Sequence, residues 1–213
     1  MKDPTLKNTL ELSAYGPVIP VIVIDDLAHA VPMARALLDG GVRVLEVTLR
    51  TPVALAAIEA IARALPQAIV GAGTVRCAAD VAAARDAGCR FAVSPGYTQA
   101  LGAACRDAGL PLLPGVATAS EVMAAQADGL DFLKFFPAVA AGGVPMLKAL
   151  AGPFADMRFC PTGGITPETA PLFLALPNVA ACGASWLTPA DAMASGDWSR
   201  ITRLARAATA LRG

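Results

Sequence analysis

The run Asp131-Phe132-Leu133-Lys134-Phe135-Phe136-Pro137 sets one lysine among aromatic and aliphatic neighbours. Read with the period of two of a strand, Phe132, Lys134 and Phe136 share one face and Leu133 and Phe135 the other, so the ammonium lies beside rings. Apolar surroundings, or a second cation close by, disfavour the charged amine and expose the lone pair that attacks a carbonyl. On this stretch alone, a lysine snorkelling to solvent or paired with a buried carboxylate reads the same way. A carboxylate of the right kind occurs upstream. In Val44-Leu45-Glu46-Val47-Thr48-Leu49-Arg50, Glu46 shares a face with Val44 and Thr48 in an otherwise apolar segment. Burying it is costly unless it is used or paired. Two roles stay open: part of a reacting centre, or an ion pair with Lys134 or Arg50.

Three further stretches offer hydroxyls and bare backbone. Gly71-Ala72-Gly73-Thr74 would let a ligand approach the main chain and adds the Thr74 hydroxyl, although glycines at a tight turn account for it equally. Ser94-Pro95-Gly96 and Pro114-Gly115 read as turns, with Pro95 at the rim of a pocket that would also take in Phe136 and Thr162. Cys160-Pro161-Thr162-Gly163-Gly164-Ile165 places two glycines directly before an expected helix whose first turn holds Thr166, Pro167 and Glu168. Exposed N–H groups at a helix start form an anion site. Gly183-Ala184-Ser185 supplies a second small-residue loop with a hydroxyl, so Gly163, Gly164 and Ser185 are the expected phosphate grip.

Composition narrows the chemistry. The 213 residues contain one histidine, His29, and no carboxylate cluster at ligand spacing, so a zinc site or a Ser-His-Asp triad is not expected. Lys plus Arg and Asp plus Glu both number 17, without a basic, aromatic-interleaved patch, which argues against a nucleic-acid partner. Apolar runs such as 18–24 are short and punctuated by Pro or Gly, so no membrane partner is expected either. The five cysteines are odd in number, form no CxxC pair, and follow an N-terminus without the marks of a signal peptide; a reducing cytoplasm fits.

The elements that must position these groups alternate along the chain. Strand-like runs fall at 18–24, 42–47, 69–72, 91–94, 112–113, 132–135, 158–161 and 179–182, separated by Ala-rich helical segments. Eight such units in a chain of this length predict an α/β fold of one closed (β/α)₈ TIM barrel, with a short N-terminal helix over 6–15. The expected division is residues 1–16 as that helix packing on the barrel and 17–213 as the barrel, one domain.

The motifs together resemble the 2-keto-3-deoxy-6-phosphogluconate (KDPG) and 4-hydroxy-2-oxoglutarate (KHG) aldolase family. Val42 to Thr51, Gly71 to Val75, Lys134 to Ala138 and Arg158 to Ile165 stand in that family's order and spacing. The resemblance implies a class I lyase of the Entner-Doudoroff route, trimeric, which forms a Schiff base on Lys134 with Glu46 as acid and base. It further implies that Arg50 and Thr74 bind the pyruvate carboxylate, that Gly163, Gly164 and Ser185 bind the phosphate, and that neither metal nor organic cofactor is needed. Ala184, Ala117 and Val139 depart from the pattern, where glycine, serine and an acidic residue are usual. The Arg158-Phe159-Cys160-Pro161-Thr162 run favours the gluconate over the galactonate epimer. Competing readings are a phosphosugar-binding barrel without lyase activity and a phosphosugar isomerase; neither has a use for a desolvated amine that forms an imine.

Overall fold

The computed structural model describes residues 6–212. Parallel strands run in chain order as β1 (Val18–Ile22), β2 (Val44–Thr48), β3 (Ile69–Gly73), β4 (Phe91–Val93), β5 (Leu112–Leu113), β6 (Gly115–Val116), β7 (Phe132–Phe135), β8 (Arg158–Pro161) and β9 (Cys182–Ala184). They form a curled six-stranded sheet of order β5-β4-β3-β2-β1-β9 and a three-stranded sheet of order β6-β7-β8. The expected closed eight-stranded barrel is therefore corrected: the hydrogen-bonded ladder breaks twice. At Pro114, which has no N–H to give, the fifth strand divides; β5 pairs with β4 while β6 turns to β7. Between β8 and β9 the ladder shrinks to isolated bridges, Phe159 to Val179 and Thr162 to Gly183.

Helices α1 (Ala30–Asp39), α2 (Ala54–Ala64), α3 (Ala78–Asp86), α4 (Gln99–Asp107), α5 (Ala119–Ala127), α6 (Gly143–Ala151), α7 (Ala170–Leu174), α8 (Ala190–Ser195) and α9 (Trp198–Thr209) cover the outer faces. Alternation along the strands sorts the core into layers. Leu45 and Val47 of β2 pack outward with α1, α2 and α9, and Leu133 and Phe135 of β7 pack outward with α5, α6 and α7. Inward go Ile19, Val44, Ile69, Phe91, Leu113, Phe132 and Cys160, contributed by both sheets to one shared interior. The helix expected over 6–15 is a 3₁₀ helix over Thr9–Tyr15, capped by the Asn8 side chain, and Leu6 and Leu12 plug the N-terminal end of that interior.

Three buried thiols give the fold an alkaline limit. Burial pushes Cys89 from the ordinary 9.0 up to about 12 and Cys105 up to about 11; Cys160 reaches about 12, by burial first and the nearby Glu46 carboxylate second. An unfolded chain releases these protons near pH 9.0 while the fold retains them, so their contribution is complete below that pH and declines as the pH climbs toward 12. The denaturation midpoint of the native chain is expected to drop between pH 9 and 11 more steeply than that of a Cys89→Ala, Cys105→Ala variant. Equal slopes would show that other groups set the limit. The exposed Cys77 should be the first thiol to react with iodoacetamide.

Candidate active site

Alternation that buries Phe132 also turns Lys134 inward, and alternation that buries Val44 turns Glu46 inward from the other sheet. The two meet: Lys134 Nζ donates to Glu46 Oε1 at 3.3 Å, with the residues 3% and 2% exposed. The ion pair left open by the sequence is thus present. The ring of Phe136 lies beneath the amine, 5.2 Å from Nζ to its centroid.

Small residues make room around the pair. Lys134 stands opposite Gly115 on one side and Cys160 on the other. A Cβ on Gly115 would collide with the Pro95 carbonyl, so Pro95, itself exposed, shapes the wall through its backbone. A Cβ on Gly73 would collide with the Glu46 carboxylate, which lies directly over that glycine. Cys160 is kept as a neutral thiol by its burial and by the adjacent carboxylate, so it does not compete with the amine as a nucleophile.

The residue after Gly73 is Thr74, which holds φ at +62°. For a β-branched side chain this left-handed conformation costs on the order of 1–2 kcal/mol. It brings the Thr74 hydroxyl to Arg50, whose Nε donates to Oγ1 at 3.1 Å. A guanidinium and a hydroxyl therefore lie one residue from the carboxylate that faces the amine. Strain of this kind gathers where the backbone must aim a group.

At the other side, Gly163 packs against Phe136, and an added Cβ there would lie 3.4 Å from the ring. Gly163 and Gly164 hold φ at +103° and +78°, and among the described residues their N–H groups make no hydrogen bond. The expected helix immediately after them is not there: α7 starts at Ala170. Thr166 to Thr169 instead form a hydrogen-bonded turn, with Thr166 N–H donating to Thr169 Oγ1 at 2.9 Å. Free amides, not a helix terminus, are what this loop offers an anion. Thr162, 5% exposed, presses its hydroxyl against Gly183 at the β8–β9 bridge, which sets the Gly163–Gly164 loop beside the Ser185 loop. Ser185 is exposed and lines a cavity of about 720 Å³ with Asp25, His29 and Trp186, on the β1 side of that bridge.

Sequence reading singled out Lys134, Glu46, Arg50, Thr74, Phe136, Thr162 and Gly163, and contacts link them as one string through Gly73. It missed Cys160, whose inward phase on β8 was legible from the same alternation, and the packing of Val139 on Gly164, which local pattern does not encode.

At its strand ends this parallel α/β fold buries one amine against one carboxylate, the kind of pair that Schiff-base chemistry on a carbonyl uses. The model of the KDPG and KHG aldolase family matches residues 11–204. The KHG/KDPG aldolase of Escherichia coli (strain K12) is 56% identical over 193 residues, 91% of each chain. The 2-dehydro-3-deoxy-phosphogluconate aldolase of Pseudoalteromonas atlantica is 52% identical over 203 residues, 95% of this chain and 94% of its own. A KDPG aldolase of Legionella pneumophila, solved with pyruvate captured at low pH as a covalent carbinolamine intermediate, superposes with a TM-score of 0.93. It is 48% identical, over 95% of this chain and 98% of its own. The chain belongs to the KDPG and KHG aldolase family.

Proposed function

We propose that the protein cleaves 2-keto-3-deoxy-6-phosphogluconate to pyruvate and glyceraldehyde 3-phosphate, with 4-hydroxy-2-oxoglutarate as a second substrate. The observation that carries this reading is the buried Lys134–Glu46 pair at 3.3 Å.

Neutral Lys134 attacks the C2 ketone to give a carbinolamine, the species captured with pyruvate in the Legionella enzyme. Loss of water leaves an iminium that draws electrons from the C3–C4 bond. Glu46 takes the proton of the C4 hydroxyl, the bond breaks, and the aldehyde leaves an enamine on the lysine. The same carboxyl returns a proton to C3, and hydrolysis of the resulting imine releases pyruvate. Arg50, held on Thr74, is suited to pair with the substrate carboxylate by charge-assisted hydrogen bonds. The free N–H groups of Gly163 and Gly164, with the Ser185 hydroxyl in the neighbouring loop, are suited to the phosphate. No step calls for a metal or an organic cofactor.

The same reading places the enzyme in the Entner-Doudoroff route, in the cytoplasm, as a homotrimer. It treats the described residues from 17 onward as one domain with residues 6–16 packed on it, as the burial of Leu6 and Leu12 supports; residues 1–5 and 213 of the expected division lie outside the described residues. Among the described residues no helix is long and apolar enough to cross a membrane. The test is reduction with borohydride in the presence of pyruvate, followed by peptide mapping. A three-carbon adduct on Lys134 is the expected product; an adduct on the outlying Lys148 of α6, or none, would sink the Schiff-base reading.

A further inference from the structure

Beyond the pair, Val139 is a large apolar residue left 51% exposed at the rim of the amide loop. Its segment continues the β7–β8 ladder past the strand ends: Ala138 N–H donates to Thr162 O at 2.7 Å and Val139 N–H to Gly163 O at 3.1 Å. The isopropyl group then lies on the α-carbon of Gly164, where an added Cβ would come within 2.9 Å of both Val139 Cβ and Cγ2. Gly163 meets Phe136 on its other side, and Phe136 carries the amine. Position 139 is therefore tied to the lysine's own strand, hydrogen-bonded to Gly163 and packed on Gly164.

We propose that Val139 is a specificity-determining residue, an uncharged cap on the Gly163–Gly164 loop that favours substrates ending in a dianionic phosphate. The inference rests on the aldolase reading above. An exposed Glu168 already puts one carboxylate in this loop, held below the usual range by the Thr166 hydroxyl. No lysine or arginine of the loop offsets it. With only neutral amides and the Ser185 hydroxyl to bind the anion, a second fixed negative charge beside Gly164 acts on the dianion through little more than solvent. Such a charge lowers affinity about tenfold at low salt and much less at high salt. A short dicarboxylate substrate, whose far carboxylate sits directly on C4, does not extend to this loop and escapes the effect.

The test compares two variants of equal shape, Val139→Asp and Val139→Asn, on phosphorylated KDPG and on 4-hydroxy-2-oxoglutarate, at low ionic strength and at 0.5 M salt, the latter roughly a Debye length of a few ångström. For KDPG, kcat/KM of Val139→Asp should lie about tenfold below that of Val139→Asn, through KM, with the gap closing in high salt. For the short substrate the two variants should agree. Equal values on KDPG, or the same gap on both substrates, would overturn the proposal. Borohydride trapping of pyruvate on each variant separates this from failure of the aldolase reading: an adduct on Lys134 with no charge effect refutes only the role of Val139.

Discussion

Lys134→Met is expected to abolish cleavage, with a loss on the order of 10⁴-fold or more, the scale on which removing a nucleophile acts. It should also abolish the pyruvate adduct. The substitution strands Glu46 at 2% exposure without its partner, and breaking a buried pair in this way costs about 3–5 kcal/mol. Inactivity could then be mistaken for unfolding. A double variant, Lys134→Met with Glu46→Leu, removes the stranded charge and should recover most of the lost stability, because buried ion pairs are replaced by apolar side chains at little or no cost. It should remain inactive. Denaturation midpoints and turnover for the single and double variants check this. Recovery of activity together with stability would mean that the lysine serves the fold alone. Lys148→Met, on the outer helix α6, should trap pyruvate as the native chain does.

The reach of the sequence ended where contacts cross between strands. Alternation within β2 and β7 was enough to turn Glu46 and Lys134 to one interior, because a period of two is a property of each strand alone. Which carboxylate meets which amine across 88 residues depends on how the sheets curl, and the ion pair remained one option among two. The closed barrel was a count of eight alternating units, and counting units does not reveal that Pro114 interrupts a ladder or that β9 begins only at Cys182, the last residue of the apolar run at 179–182. The helix start expected after β8 was misplaced for a related reason. Thr166, Pro167 and Glu168 have the composition of a helix start, but Thr166 and Thr169 bond to each other and close a turn, delaying α7 to Ala170. The strain at Thr74 had no local signature at all. Its φ of +62° accompanies the Glu46 carboxylate over Gly73 and the Arg50 bond to the Thr74 hydroxyl, both tertiary contacts.

Glu46→Gln separates the two roles that the sequence left open. Glutamine keeps the shape and can still accept from Lys134 Nζ through its amide oxygen, so the fold should survive with a loss of about 1–3 kcal/mol. What glutamine cannot do is carry a proton. Turnover should fall on the order of 10² or more, as it does when a positioned acid and base is removed. Imine formation and proton transfer at C3 should also part company. With the native chain in deuterium oxide, the pyruvate methyl group should exchange its protons, because the enamine forms and is reprotonated on the lysine; with Glu46→Gln that exchange should stop. Slow trapping of pyruvate by borohydride should persist, since attack by the amine needs no carboxylate at C3. A purely structural partner predicts otherwise: misplacing Lys134 would depress trapping and exchange by the same factor. The ratio of exchange to trapping, compared between the native chain and Glu46→Gln, therefore decides the question. An unchanged ratio would leave Glu46 as the buttress of the lysine and give the proton transfers to another group.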